Sequence, residues 1–292
     1  DRALPSILGF ASVKANLGKL ANKGFELSLN GDIIRTNDFT WTSSGSFSFN
    51  RRKLKSLYGD MEDVLDENGN VIGQKEKDDP KNGWFIGHDP DQIWDYEFGG
   101  VWQLGQEEEA SKYGCKPGDF RFIDQDGNGV LDDDDKTFQG YKTPRFFWSW
   151  RNEFIYKDFS LSFMLYSDIG HYDYYNHASN SGGMFDRYST YDQPRWTPEN
   201  PTNEYGRIGS YRFANYYKKK TFVRMDNISL SYAVPKDFLK KFKVQNMRIS
   251  LTARNPFTIT GWDYFDVEAT KKNRDDGLYG MRSYNISFNF TL

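Results

Sequence analysis

The sequence predicts an all-β fold: one stretch of the wall of an antiparallel transmembrane β-barrel, with its long loops gathered on one side. Three observations carry that reading. Apolar and polar residues alternate with period two in segment after segment, several of these segments run about ten residues, and short and long connections take turns along the chain. Successive side chains of a strand point to opposite faces. A tilted barrel strand needs roughly 9–11 residues to cross a bilayer, and membrane barrels join their strands by short turns at one end and longer loops at the other. A soluble β-sandwich shows alternation too, but its strands typically run about five or six residues.

The elements follow in order. Phe25, Leu27, Leu29, Gly31 and Ile33 alternate with Glu26, Ser28, Asn30 and Asp32, and Asn37-Asp38 reads as a tight turn. The second strand sets Phe39, Trp41, Phe47 and Phe49 against Thr40, Thr42, Ser44, Ser46 and Ser48. Leu54 to Pro144 is a long loop region. Arg145 to Tyr156 is a strand with aromatics on both faces, turned by Lys157-Asp158 into Phe159, Leu161, Phe163 and Leu165. A second long loop, Ile169 to Lys220, leads to Phe222–Val234, where Ile228, Leu230 and Tyr232 share a face. Pro235 to Lys243 is short. Val244 to Phe257 carries Met247, Ile249, Leu251 and Ala253 in alternation, and Gly261 to Met281 is the third long loop. The last strand, Arg282 to Leu292, is the cleanest: Tyr284, Ile286, Phe288, Phe290 and Leu292 against Ser283, Asn285, Ser287, Asn289 and Thr291. Seven strands leave two open edges, which lipid does not tolerate, so the remainder of the same barrel is expected as a neighbour.

Composition fits this picture. The chain has 292 residues and a net charge of −3, which gives no reason to expect a nucleic-acid partner. Aromatic residues make up 17%, yet the mean hydropathy is −0.79. No run of about 18 apolar residues exists, which excludes a spanning helix, and disordered chains are poor in aromatics. A polar lumen with an apolar, aromatic lipid face produces this pairing. Cys115 stands alone, so neither an intrachain disulfide nor a cysteine metal site is available. Asp1 to Pro5 offers no apolar leader, as expected of a processed or internal piece.

One segment carries chemistry. Asp124 to Asp135 has the spacing of a twelve-residue calcium loop. Asp124, Asp126 and Asn128 would supply oxygens at positions 1, 3 and 5, Val130 its carbonyl at 7, Asp132 at 9 and Asp135 at 12, where glutamate is usual. Gly129 sits where the loop turns sharply. With no helix evident on either side, this is expected to be a bare loop in which an ion, most simply Ca²⁺, has a structural task; a solvated acidic turn is the plain alternative. Catalysis has little support. His88, His171 and His177 show no ligand spacing, and no serine elbow is present. The loops are rich in Trp and Tyr: Trp84, Trp94, Trp102, Tyr172, Tyr174, Tyr175, Tyr191 and Trp196. Such rings could stack on sugars or clamp a peptide, or pack on one another.

The chain resembles the C-terminal third of a SusC/RagA-type TonB-dependent transporter of Bacteroidetes outer membranes. The resemblance is carried by NKGFELSLN (Asn22 to Asn30), FTWTSSGSFSFNRRKLKSLYG (Phe39 to Gly59), DYEFGGVWQLGQEEEA (Asp95 to Ala110) and GDFRFIDQDGNGVLDDDDKTFQG (Gly118 to Gly140). It continues through RWTPENP (Arg195 to Pro201), TFVRMDNISLSYAVP (Thr221 to Pro235) and RNPFTITGWDYFDVEA (Arg254 to Ala269). It implies a 22-stranded barrel in a Gram-negative outer membrane, with an N-terminal plug that this sequence lacks and through which TonB would act. It also implies a SusD/RagB-type lipoprotein lid, import of oligosaccharides or peptides, and no enzymatic activity. The family usually ends in an aromatic residue, whereas here Leu292 follows Phe290 by two positions. The competing reading from the residues alone is a secreted, calcium-stabilised glycan-binding or glycan-cleaving β-sandwich.

Overall fold

The computed structural model describes residues 18–175, 194–209, 216–263, 266–268 and 280–291, together with the backbone of 2–3 and 12–13. Seven long strands and one short one, Thr258–Thr260, form one antiparallel sheet; the long ones are β1 (Lys19–Arg35), β2 (Phe39–Ser56), β3 (Phe146–Tyr156), β4 (Phe159–Ile169), β5 (Phe222–Ala233), β6 (Asn246–Arg254) and β7 (Ser283–Thr291). Each long strand pairs with its predecessor and its successor in the chain, the up-and-down order that the alternating connections predict.

The register puts the apolar series of all seven strands on one face. Leu27 stands opposite Phe47, and Phe47 opposite Trp148. Further along the sheet, Phe163 faces Ile228, Leu230 faces Leu251 and Leu251 faces Ile286. At the short-turn end, Phe39, Tyr156, Phe159 and Tyr232 make a continuous aromatic row across four strands. A second aromatic group, Phe25, Phe49 and Phe146, lies at the long-loop end, with the Arg51 guanidinium 4.8 Å from the Phe146 ring centre. From Phe39 to Phe49 the chain advances about 33 Å at roughly 3.3 Å per residue. At a strand tilt of about 45° this is about 23 Å of membrane thickness, close to the roughly 25 Å height of the apolar band of a membrane barrel.

The opposite face is hydroxyl-rich, and its side chains satisfy one another. Ser46 and Ser149 lie 2.7 Å apart, Ser231 and Ser250 2.8 Å, and Thr42 donates to Asp32 at 2.8 Å. Two polar residues interrupt the apolar face, Ser43 and Asn152, which pair across β2 and β3. Both are served by indoles: Trp41 Nε1 donates to Asn152 Oδ1 (2.9 Å) and Trp150 Nε1 to Ser43 Oγ (3.0 Å).

Three details depart from the sequence expectation. β1 and β2 run 17 and 18 residues and rise beyond the aromatic group. A register shift between Asp32 and Ile34 puts Ile34, not Ile33, opposite Trp41. The strand expected over Val244–Phe257 breaks after Arg254, where Asn255 takes φ 49°, and resumes as Thr258–Thr260 on the same partner β5. The sandwich alternative does not describe this sheet. Leu29, Leu230, Leu251, Ile286 and Phe288 stay exposed on the apolar face, and among the described residues the other sheets are two-stranded.

Candidate functional site in the loop body

The first long loop is folded. A hairpin (Met61–Leu65 with Val71–Glu76) is tied at its base by Glu76, whose Oε1 accepts the Leu57 and Gly59 amides (2.7 and 2.8 Å) and the Ser56 hydroxyl. The Gly59 amide, then those other donors, hold the Glu76 carboxyl below its ordinary range. Gln92–Tyr96 pairs with Lys136–Tyr141, and Phe98–Val101 with Phe120–Phe122; helix α1 (Glu107–Lys112) lies between the strands of the second pair. Where the loop meets the wall, Asp89 is buried between Arg145 (2.5 Å) and Arg52 (3.8 Å), while Arg52 also pairs with Asp91. These charges are mutually compensated, as burial of ions requires.

The second loop packs onto the first, and the third packs onto the second. Trp196 is buried against Val101 and Phe120 and donates its indole N–H to Gln103 Oε1 at 2.9 Å. Asn203 Oδ1 accepts the Val101 amide (2.8 Å), and Arg207 pairs with the buried Asp119 (2.8 Å). Gly118 has φ 87°, and a Cβ there would lie 2.5 Å from the Trp196 ring, so the close approach requires glycine. A neighbouring cluster joins Tyr175, Tyr205, Phe222, Trp262 and Val267, and Lys218 bridges Glu204 (3.2 Å) and Asp263 (3.0 Å).

The acidic segment joins the Phe120–Phe122 and Lys136–Tyr141 strands. Oxygen atoms of Asp124, Asp126 and Asp135 lie within 4.8 Å of one another, and Asp135 is fully buried. Asp124 accepts the Gly127 and Gly129 amides (2.7 and 2.8 Å) and the Tyr113 hydroxyl (2.9 Å). Desolvation opposes its charge, but those donors outweigh it and keep the carboxyl below its ordinary range. Asn128 Oδ1 accepts the Val130 amide (2.7 Å). Asp132 caps a 3-10 turn at Asp133–Asp135, with Asp135 returning a bond to the Asp132 amide. No helix flanks the segment, as expected: it runs from strand to strand, and its 3-10 turn at Asp133–Asp135 lies inside it.

The aromatic candidates divide. Trp102 (4% exposed), Tyr175 (0%) and Trp196 (7%) are buried and present their rings to neighbouring side chains. Trp102 packs with Ala110 and Cys115, and its ring lies 4.9 Å from the Arg121 guanidinium. Trp94 is half-buried and packs on Phe85 at 4.6 Å, and Tyr172 lies against Gly140. Trp84 (36%) keeps ring surface in solvent, and Tyr174 is half-buried beside Tyr217. Tyr191, His177 and the loop tip from Asn176 to Gly183 lie outside the described residues. His171 is buried, with Nδ1 unpartnered among the described residues; burial first, then Lys220, pushes its pKa down to about 4. The Asp89–Arg145 and Asp119–Arg207 pairs and Asn203 were not legible in the sequence, because each partner lies more than 50 positions away and no local spacing marks it.

A single antiparallel sheet with one apolar and one polar face and its long loops at one end defines a segment of a membrane β-barrel. Protein-family models give no match to the chain. It is 30% identical to TonB-dependent receptor P3 of Formosa agariphila over 93% of its own length and 27% of that protein's. It is 28% identical to TonB-dependent receptor SusC of Bacteroides thetaiotaomicron over 88% of its own length and 25% of that protein's. Among solved structures, the RagAB peptide transporter superposes with a TM-score of 0.69 at 22% identity, covering 99% of this chain and 31% of the other. The chain belongs to the SusC/RagA-type TonB-dependent receptors and spans about a quarter to a third of the length of the relatives it matches. Those relatives are receptors and transporters, not enzymes.

Proposed function

We propose that the chain forms part of the wall and the extracellular loops of a Gram-negative outer-membrane importer. The importer takes up oligosaccharides or peptides, is driven by TonB and is covered by a SusD/RagB-like surface lipoprotein. The observation that carries this reading is the division of the molecule. A wall with an apolar face about one membrane thick supports a loop body that is packed enough to hold a fixed shape over the mouth. The loop body still leaves apolar surface uncovered: in the projecting hairpin, Met61, Leu65 and Ile72 are 55%, 57% and 66% exposed. Lone two-stranded hairpins are marginal in water, and exposed apolar groups on an ordered element suit a protein interface. Trp84 and Tyr174, which keep ring surface toward solvent, are the positions we assign to solute contact. In the full-length receptor, Leu65→Ser with Ile72→Ser should weaken co-purification with its lipoprotein and leave membrane insertion intact. Uptake of labelled oligosaccharide or peptide should stop when TonB is removed. Uptake that persists without TonB contradicts the importer reading.

The acidic loop is assigned a structural Ca²⁺. The donor set is oxygen-only, as a hard cation requires: Asp124, Asp126, Asn128, the Val130 carbonyl, Asp132 and Asp135. The convergence of three carboxylates on one point supports it. Metal analysis after dialysis tests it; a loop whose stability a chelator does not change speaks against it.

A further inference from the structure

The three short connections are not alike. Two are tight turns, Asn37-Asp38 and Lys157-Asp158. The third carries a helical turn, Lys236–Leu239 followed by Lys240–Phe242. Phe238 and Phe242 are 57% and 63% exposed and pack on each other at 5.4 Å, while Leu239 between them is buried. Four lysines share the turn with one aspartate; Lys240 pairs with Asp237, and Lys236, Lys241 and Lys243 have no ion pair among the described residues. Apolar groups this exposed beside uncompensated lysines suit a surface that is apolar below and anionic above.

The geometry points to such a surface. Lys236 borders a cleft at the end of the wall together with Asp158, Arg248 and Asn289 and with Met247, Phe288 and Phe290, residues of both faces. On the apolar face of the wall beside this connection, Tyr232, Ile249 and Phe288 stand side by side across β5, β6 and β7, and Met247 pairs with Phe290 one step nearer the turn. The exposed phenyl pair thus sits at the end of the wall where this apolar row lies, with the lysines beside it.

We propose that the Pro235–Lys243 connection is an interfacial anchor. Phe238 and Phe242 enter the phospholipid leaflet at the short-turn end of the barrel, and Lys236, Lys241 and Lys243 bind the phosphates of anionic phospholipids there. This rests on the reading of the chain as barrel wall, and the test separates the two. The full-length receptor, in a cysteine-free background, is spin-labelled at position 238, 242 or 251 and placed in nanodiscs of phosphatidylcholine, with or without one-fifth phosphatidylglycerol. Labels at 238 and 242 should collide more with oxygen than with a water-soluble nickel chelate, at headgroup depth, and move deeper with phosphatidylglycerol. Lys236→Gln, Lys241→Gln and Lys243→Gln combined should abolish the phosphatidylglycerol response. Position 251, on the apolar face of β6, should read deep in the acyl region. Aqueous readings at 238 and 242 with a deep reading at 251 overturn the anchor and leave the barrel standing. Labels at 238 and 242 shielded from both reagents mean that protein covers the turn, and also overturn it. An unchanged phosphatidylglycerol response in the lysine variant overturns the phosphate contact. An aqueous reading at 251 overturns the wall itself.

Discussion

The wall and the loop body are stabilised in different ways, although the same chain builds both. In the wall, Leu27, Leu29, Leu251, Ile286, Phe288 and Phe290 are all 43% exposed or more; order there comes from the hydrogen-bonded ladder and from a solvent that is itself apolar. In the loop body Ile93, Val101, Trp102, Phe120, Trp196 and Trp262 are nearly inaccessible, packed as in a small soluble domain. An apolar residue facing outward is thus in place in one region and would be a defect in the other. The two regions should respond oppositely to the same kind of substitution.

The largest effect is expected from emptying a loop core. Trp196→Ala removes the ring against Gly118 and the bond to Gln103, and large-to-small changes of this kind cost about 3–5 kcal/mol. Limited proteolysis should then cut the loops while the barrel still inserts; if insertion fails equally, the regions are not separable. Next comes charge on the wall. Phe288→Arg should impair assembly by about 2–4 kcal/mol, the cost of a cation facing lipid at mid-depth, whereas Asn289→Arg on the other face should be tolerated. Equal membrane yields would erase the distinction between faces. A smaller effect belongs to the acidic loop: Asp124→Asn should lower apparent Ca²⁺ affinity by at least about tenfold, or ~1.4 kcal/mol, read by calorimetry.

The smallest effect is a pH response confined to the loop body. The folded His171 titrates near 4, below its ordinary 6.5. Its contribution is complete above about pH 6.5 and is lost as pH falls from there toward 4, because the unfolded chain takes up the proton first. Hydrogen exchange of Tyr172–Tyr174 should quicken across that window, and His171→Gln should flatten the response.

The wall was almost fully legible in the sequence because its rule is local: residue i and residue i+2 share a face. Strand order followed as well, since each strand pairs with its sequence neighbours. Legibility failed where a backbone irregularity resets the period, at Ile33–Ile34 and at Asn255. In the loop body the acidic segment stood out, being twelve consecutive residues, and three of its carboxylates, those of Asp124, Asp126 and Asp135, lie close together. The aromatic candidates were not separable by sequence. Trp102 and Trp84 look alike in composition, and only the long-range contacts that bury the first distinguish them. The anchoring pairs, Asp89 with Arg145 and Asp119 with Arg207, join parts of the chain that no period links.

The most direct test of the central claim is a cysteine scan of Ser283–Thr291 in the full-length receptor in membranes, read with a lipid-soluble and a water-soluble reagent. The account predicts strict alternation: positions 284, 286, 288 and 290 react with the lipid-soluble reagent, and 283, 285, 287, 289 and 291 with the water-soluble one. Uniform reactivity along the strand, or protection of the apolar series from both reagents, would contradict it.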